Sequence, residues 1–162
     1  MRTRNLALVV CSALGLVAAS GQAQADLIAR YDCNFVGTLG QEAIGDRPGH
    51  MLVSLQYSCF GLDGLMKGAL YTSSVASEWE NQKGNYLYGV GIHRTADSYA
   101  VVQLLEGSGE VVMKDGMPAV SEATGKVVFK LASGRFARLA GKTVNFAARL
   151  GSAGHFIYEL TD

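Results

Sequence analysis

The feature that most constrains the fold of this chain is a two-residue alternation of apolar and polar side chains in segments 27–35 and 51–59. In the first segment the odd positions are Leu, Ala, Tyr, Cys and Phe, with mainly polar residues between them. In the second the odd positions are Met, Val, Leu, Tyr and Cys. A period of two belongs to a β-strand with one buried and one wet face. Both segments are therefore predicted to be half-buried strands.

Two cysteines set the register of these strands. Cys33 and Cys59 both occupy the apolar faces, and residue 46, midway between them, falls inside the turn sequence Gly45 to Gly49. An antiparallel pair about this turn places the cysteines opposite each other, with Cβ atoms about 4.5–5.5 Å apart. We therefore predict a structural disulfide. A redox-active pair is disfavoured because the chain has no Cys-x-x-Cys.

The rest of the chain reads as further short strands separated by turns. Tyr86, Tyr88, Val90 and Ile92 alternate with the residues between them, and 111–120 reads as a hairpin about Asp-Gly. No segment has a convincing helical period longer than about two turns. The prediction is an all-β fold, an antiparallel up-and-down barrel of about eight strands, with a sandwich as the second choice.

Residues 1–25 have the three parts of a secretory signal peptide. A positively charged start precedes an apolar stretch, Leu6 to Ala19, and small residues precede a cleavage site after Ala25. Cys11 lacks the small preceding residues of a lipid-modified cysteine. We predict that 1–25 is cleaved and that 26–162 forms one domain, exported to the periplasm or outside the cell, with no integral membrane segment. The disulfide suits such an oxidising compartment.

Composition excludes several classes of protein. The chain has 14 basic and 14 acidic residues, which gives no electrostatic reason to expect nucleic acid as a partner. It is 49% hydrophobic and 17% charged, with 2 Pro, which argues against a disordered chain.

The C-terminal part of the chain carries a resemblance to known barrels. It contains Ala123 to Gly125, a strand, Gly134 to Phe136, then Leu139 to Lys142 and a closing strand. This order of Gly turns and a Phe resembles the C-terminal part of allene-oxide-cyclase-like and dirigent-like barrels. The resemblance covers positions 123–162 and implies an eight-stranded barrel with a central pocket. No catalytic residue of these families can be matched to a position here.

The three histidines are too far apart in sequence to form a recognisable metal-binding motif, and we predict neither a metal nor a cofactor. His50 adjoins the Pro-Gly turn and is predicted to be exposed, and His155 to open the last strand. His93 follows the alternation of 86–92 on the face opposite the apolar row. It is a candidate general acid/base at a barrel mouth, although a surface histidine at a strand end is the favoured interpretation.

Glu78 and Glu80 flank Trp79 in an extended segment. Residues two apart share a face about 7 Å apart, a separation that two carboxylates could use in sugar chemistry, with Trp79 as a stacking platform. The polar run at 81–84 instead favours an exposed hairpin end, with Trp79 on the opposite face in the core.

No catalytic set is recognisable, and the chain has no Gly-x-Ser-x-Gly motif. The leading prediction is a barrel that binds a small, mostly apolar ligand or a partner protein, and is not an enzyme. The alternatives are a cyclase or isomerase of the resembling barrel type, and an exported inhibitor or envelope-associated structural protein. The sequence leaves open the ligand, the residues that bind it, whether the barrel interior is filled or hollow, and the oligomeric state.

Overall fold

The structure is a computed structural model that describes residues 26–114, 117–152 and 154–162. The predicted signal peptide with its cleavage site, Cys11, and the Asp-Gly turn at 115–116 lie outside the described residues. No helix among the described residues has the length and apolar character needed to cross a membrane.

Eight strands and one short 3₁₀-helix make up the fold. In chain order they are β1 (Leu27–Ala43), β2 (His50–Gly64), β3 (Leu70–Glu80), β4 (Lys83–Arg94), β5 (Tyr99–Lys114), β6 (Met117–Ala132), the 3₁₀-helix (Gly134–Leu139), β7 (Thr143–Ser152) and β8 (His155–Thr161). Strands account for 77% of the structure and helix for 5%.

The strands form one closed antiparallel barrel in which each strand pairs with the next and β8 pairs with β1. This confirms the predicted fold class. Closure leaves no pair of sheet edges running the length of the molecule, so a chain this rich in strands avoids edge-to-edge association. The alternation of 51–59 and of 29–35 places the odd residues toward the barrel interior, where Tyr31, Cys33, Tyr57 and Cys59 are buried. The predicted face is wrong at the start of β1, where Leu27 is 40% exposed and Ile28 is buried, because the pairing of β1 with β8 shifts between Leu27 and Ala29.

The register of β1 and β2 is the predicted one around the cysteines, from Tyr31 to Val36, and shifts on either side of this stretch. Cys33 pairs directly with Cys59, and their Sγ atoms lie 2.02 Å apart. Both side chains are buried, with 0% and 2% of their surface exposed. On the other side of β1, Cys33 pairs with Phe156 of β8. The sulfur atoms are therefore enclosed by the closing strand as well as by their own hairpin.

β4 departs from the predicted alternation at a β-bulge. Ala76 pairs with Tyr88 and Ser77 with Tyr86, so Leu87 is an extra residue in β4. An extra residue reverses which positions face inward, because side chains alternate with a period of two. Tyr86 faces the interior, but Tyr88 is 52% exposed. The predicted placement of His93 on the outer face is wrong: it is fully buried.

One end of the barrel is closed by its connections. The 3₁₀-helix buries Phe136 and Leu139, and the turn between β2 and β3 buries Met66. The Arg135 guanidinium donates a hydrogen bond to the Lys67 carbonyl at 2.9 Å, which joins the two connections. The barrel interior is therefore sealed from solvent at this end.

The opposite end, here called the mouth, has a wall of unequal height. β8 pairs with β1 only as far as Asn34, and β7 pairs with β6 only from Glu122 onward. Within the described pairing, residues 36–43 of β1 and residues 117–121 of β6 have no partner strand on that side. The mouth thus has a notch above the short β7–β8 hairpin.

Candidate ligand cavity

The barrel encloses a cavity of about 310 Å³ between its sealed end and the mouth. Protein interiors contain few voids larger than a water molecule, so imperfect side-chain packing does not account for a space of this size. Its walls are mainly apolar and aromatic. All eight strands contribute to them, and the apolar side chains include Phe35, Leu55, Val75, Leu104, Phe146 and Phe156. Leu39 lines the cavity near the mouth and is 39% exposed, so the cavity reaches solvent.

Trp79, the only tryptophan of the chain, forms part of the wall near the mouth. Its indole N–H donates a hydrogen bond to the Ser77 hydroxyl at 2.9 Å. The ring lies against Gly84 and Gly109, where a Cβ would come within 2.3 and 3.1 Å of ring atoms. Glycine at these positions lets the indole lie flat on the neighbouring strands, which makes Trp79 a rigid wall of the cavity.

The floor of the cavity is lined by Tyr57, Tyr71, Ser73 and Tyr158, which carry four hydroxyl groups, and Tyr86 in the adjoining wall carries a fifth. The Tyr57 and Tyr71 oxygens lie 3.5 Å apart, and Ser73 donates to the Val90 carbonyl at 2.8 Å. Burial raises the pKa of each of the three floor tyrosines well above its ordinary value. The floor therefore presents neutral hydroxyl groups that can donate hydrogen bonds at neutral pH.

Beneath the floor lies a buried pair, Tyr31 and His93. The Tyr31 hydroxyl is 2.7 Å from His93 Nδ1 and 3.1 Å from the Met66 sulfur. Both contacts are satisfied if His93 Nδ1–H donates to Tyr31 and Tyr31 donates to Met66, an assignment made from the contacts. His93 Nε2 then carries only a lone pair, and it has no hydrogen-bond partner among the described residues. The Tyr71 ring stacks on His93 with centroids 4.0 Å apart.

His93 is fully buried and is not among the residues that line the cavity. It therefore lies neither on the surface nor at the mouth, the two places that the sequence suggested. Burial lowers the pKa of His93 to about 3, so the imidazole is neutral at physiological pH. With Tyr71 stacked over it, the ring supports the floor. It is a structural member of the site.

The second cluster of titratable side chains sits at the rim of the mouth and includes His50. His50 Nδ1 is 2.5 Å from Asp46 Oδ1, and His50 Nε2 contacts Glu78. A carboxylate can only accept, so both ring nitrogens must donate and the imidazole is charged. The hydrogen bond to Asp46, followed by that to Glu78, raises the pKa of His50. The prediction of an exposed His50 is wrong, because the residue is 5% exposed between these carboxylates.

Glu78 and Glu80 are both ion-paired at this rim. Arg47 Nε lies 3.1 Å from Glu80, and its Nη2 lies 3.9 Å from Glu78. The two carboxylates point outward while Trp79 points into the cavity, so this arrangement does not bring them around a stacked sugar. They instead hold the turn between β1 and β2 against β3. Their place at the end of a hairpin is the one that the sequence favoured.

His155 begins β8, as predicted, and its Nε2 lies 2.5 Å from Asp32 Oδ1. The three histidines are thus in three separate places: under the cavity floor, at the rim and on the outer wall. Within the described ranges, no group of three or more His, Cys, Asp and Glu is arranged to hold a metal ion.

The chemistry open to the cavity follows from its lining. None of the described residues that line it is Asp, Glu, Lys, Arg or His. The cavity can therefore exclude water and donate hydrogen bonds, and at neutral pH it has no charged acid or base within it. Sequence reasoning did not find the tyrosine floor. Tyr57 was visible as an inward residue, but nothing local indicated that Tyr71 and Tyr158 converge on it from other strands.

Comparison with known proteins identifies no relative of this chain. No protein-family model, no curated protein and no solved structure matches the chain. The resemblance to allene-oxide-cyclase-like and dirigent-like barrels stays a prediction from the sequence.

Proposed function

We propose that this protein is an exported binding protein that holds one small, mostly apolar molecule in the barrel cavity. The observation that carries the proposal is the cavity: about 310 Å³ of space with apolar walls that reaches solvent beside Leu39. An eight-stranded barrel can be filled by its own side chains or hold one ligand. Apolar concave sites with a few convergent polar groups are the usual form of a ligand site.

Binding is favoured over catalysis because the cavity lining in the described part of the chain carries no charged acid or base. A cyclase or isomerase of the resembling barrel type is the second candidate, favoured by the floor hydroxyls, since a shaped pocket with hydrogen-bond donors can orient a reactive substrate. The third candidate, an inhibitor or envelope-associated protein, would act through a projecting loop. The turn at 44–49 is instead tied to β3 by Arg47 and His50.

Native mass spectrometry of the protein purified from its own host tests whether a ligand is bound. We expect one small molecule per chain, released on unfolding. A stoichiometric protein partner with an empty barrel would favour the inhibitor or envelope alternative. Incubation that converts the retained molecule to a new mass would favour the cyclase or isomerase.

A pair of adjacent alanines gives a second test. Ala148 faces the cavity, and Ala147 is on the outer side of the same strand. Ala148→Phe fills part of the cavity, so we expect binding of the neutral fluorophore 1-aminoanthracene to weaken by about tenfold or more, which corresponds to about 1.4 kcal/mol. Ala147→Phe adds the same ring outside and is expected to bind as the unmodified protein does. Equal binding by both variants would contradict the cavity as the site.

The export part of the proposal is supported by the sequence of 1–25 and by the cysteine pair at bonding distance. We expect cell fractionation to place the protein in the periplasm or outside the cell, with Asp26 as its first residue. Full-length chain confined to the cytosol would contradict it.

A further inference from the structure

The floor of the cavity is more polar than a purely apolar ligand needs. A buried hydroxyl without a good partner costs free energy, yet the Tyr57 and Tyr71 oxygens lie 3.5 Å apart. That distance is beyond the usual range for an O–H donor, so these groups do not satisfy one another well. The Ser73 proton goes to Val90, which leaves the Ser73 oxygen able to accept. The floor therefore retains capacity to hydrogen-bond a ligand.

The same floor disfavours a charged ligand. Burial raises the pKa of Tyr57, Tyr71 and Tyr158 because a buried phenolate is poorly solvated, and a carboxylate placed there would be poorly solvated for the same reason. No cationic side chain among the described residues lines the cavity to offset that cost. A neutral oxygen can accept the tyrosine protons without this penalty.

The cavity walls favour a ligand that contains a planar ring. Phe156 packs edge-on against Tyr57 with centroids 5.2 Å apart, and Phe146 stacks with Tyr158 at 5.7 Å. These rings and Trp79 present rigid aromatic surfaces to the space above the floor, where a planar ligand can stack or meet them edge-on. The cavity has about the volume of ten water molecules in the liquid, which suits a ligand of roughly ten to fifteen non-hydrogen atoms.

We propose that the cavity selects an uncharged, ring-containing molecule with one carbonyl or hydroxyl oxygen directed at the floor hydroxyls. The proposal rests on the proposed function, that the cavity binds a small ligand. It adds the ligand's charge, its approximate size and its orientation, with the polar end inward and the apolar end toward Trp79.

The experiment compares three probes of similar shape by equilibrium dialysis at pH 8: 2-acetonaphthone, 2-ethylnaphthalene and 2-naphthoate. The unmodified protein is expected to bind the ketone at least about tenfold more tightly than the carboxylate. Tyr57→Phe, Tyr71→Phe and Tyr158→Phe each remove one floor hydroxyl and keep the ring. At least one of them should weaken the ketone by about 2–10-fold and leave the hydrocarbon unchanged.

Tyr88→Phe is the matched control, because Tyr88 is on the outer surface and should change no affinity. Binding of the carboxylate as tightly as the ketone, or ketone binding insensitive to all three floor variants, would overturn this inference while leaving the cavity as a binding site. Failure of both neutral probes to bind would overturn the proposed function as well. If the floor variants do not fold, the affinity of the unmodified protein for the ketone relative to the carboxylate decides whether the inference stands.

Discussion

His93 shows how burial alone can keep an ionisable side chain neutral. No charged side chain among the residues that the structure describes lies against it; its contacts include the Tyr31 hydroxyl and the Tyr71 and Phe129 rings. Desolvation therefore determines its titration. Its neighbours could not have been identified from the local sequence, because they come from three other strands.

The first prediction is a pH dependence of stability that belongs to His93. The pKa of His93 is about 3 in the folded protein, against 6.5 for a histidine exposed to water. Between these values the unfolded chain binds a proton that the folded chain does not, so stability falls as the pH falls, by up to about 1.4 kcal/mol per pH unit. Urea unfolding at pH 7 and pH 5 should show a loss about 2 kcal/mol smaller in His93→Gln than in the unmodified protein. Equal losses would contradict a buried neutral imidazole.

His50 should have the opposite pH dependence. Hydrogen bonds to Asp46 and then to Glu78 raise its pKa, so its stabilisation is complete below the unfolded pKa of 6.5 and is lost as the pH rises through the folded value. We expect His50→Gln to lower the urea midpoint more at pH 6 than at pH 9. Arg47 contacts the same two carboxylates and repels the charged imidazole, so it gives the control: Arg47→Gln should cost less at pH 6 than at pH 9, the opposite order to His50→Gln. A His50→Gln effect independent of pH would contradict the charged rim.

At the scale of the strand, the sequence predicted the inward faces of β2 and of most of β1, but not those of β4, for one reason. Alternation assigns faces only while the pleat is unbroken. In β1 and β2 the cysteines anchor the pairing across the predicted face, but in β4 the extra residue at Leu87 changes the inward positions from even to odd. Gly89 and Gly91 were the available signal, because glycine within a strand often marks close approach of another group.

Alanine variants of Gly91 and Gly89 test whether the odd positions of β4 after the bulge face inward. A Cβ on Gly91 would lie 2.3 Å from the Tyr71 ring and 2.9 Å from the Thr72 carbonyl, so Gly91→Ala must displace the ring that covers His93. We expect a loss of about 1–3 kcal/mol in the free energy of unfolding.

Gly89→Ala is the matched comparison on the same strand and the same inward face. Its Cβ would lie 3.0 Å from the Leu104 Cβ, a contact that needs a smaller adjustment. Urea unfolding should find the Gly89 variant clearly more stable than the Gly91 variant. A larger loss at Gly89 would mean that the Tyr71 ring does not lie over Gly91.

At the scale of the whole molecule, strand number and closure were predictable because hairpin turns and strand spacing are local signals. The hollow interior was not. A cavity depends on the summed volumes of inward side chains from all eight strands, and no segment of the sequence records that sum. The same holds for the tyrosine floor, where Tyr71 meets Tyr158 only after β8 closes the barrel.

Removal of the cysteine pair tests the barrel as a unit. Cys33 and Cys59 are 26 positions apart, and a cross-link over such a loop is worth roughly 3–4 kcal/mol through the entropy of the unfolded chain. The double variant Cys33→Ala/Cys59→Ala should lose that much in urea unfolding under non-reducing conditions. Adding a reductant during unfolding should lower the stability of the unmodified protein toward that of the variant. Unchanged stability of the variant would indicate that the two thiols are not bonded.

The enclosed position of this pair also implies an order of events during synthesis. The β1–β2 hairpin leaves the ribosome before β8, yet Phe156 of β8 is the residue that lies across Cys33 in the finished barrel. An oxidising enzyme can reach the sulfurs only while the C-terminal strand is absent from its place, since both cysteines are almost wholly buried afterwards. β8 thus covers a bond that can form before β8 is made, and a chain that stops before β8 would leave that bond open to any reductant it meets.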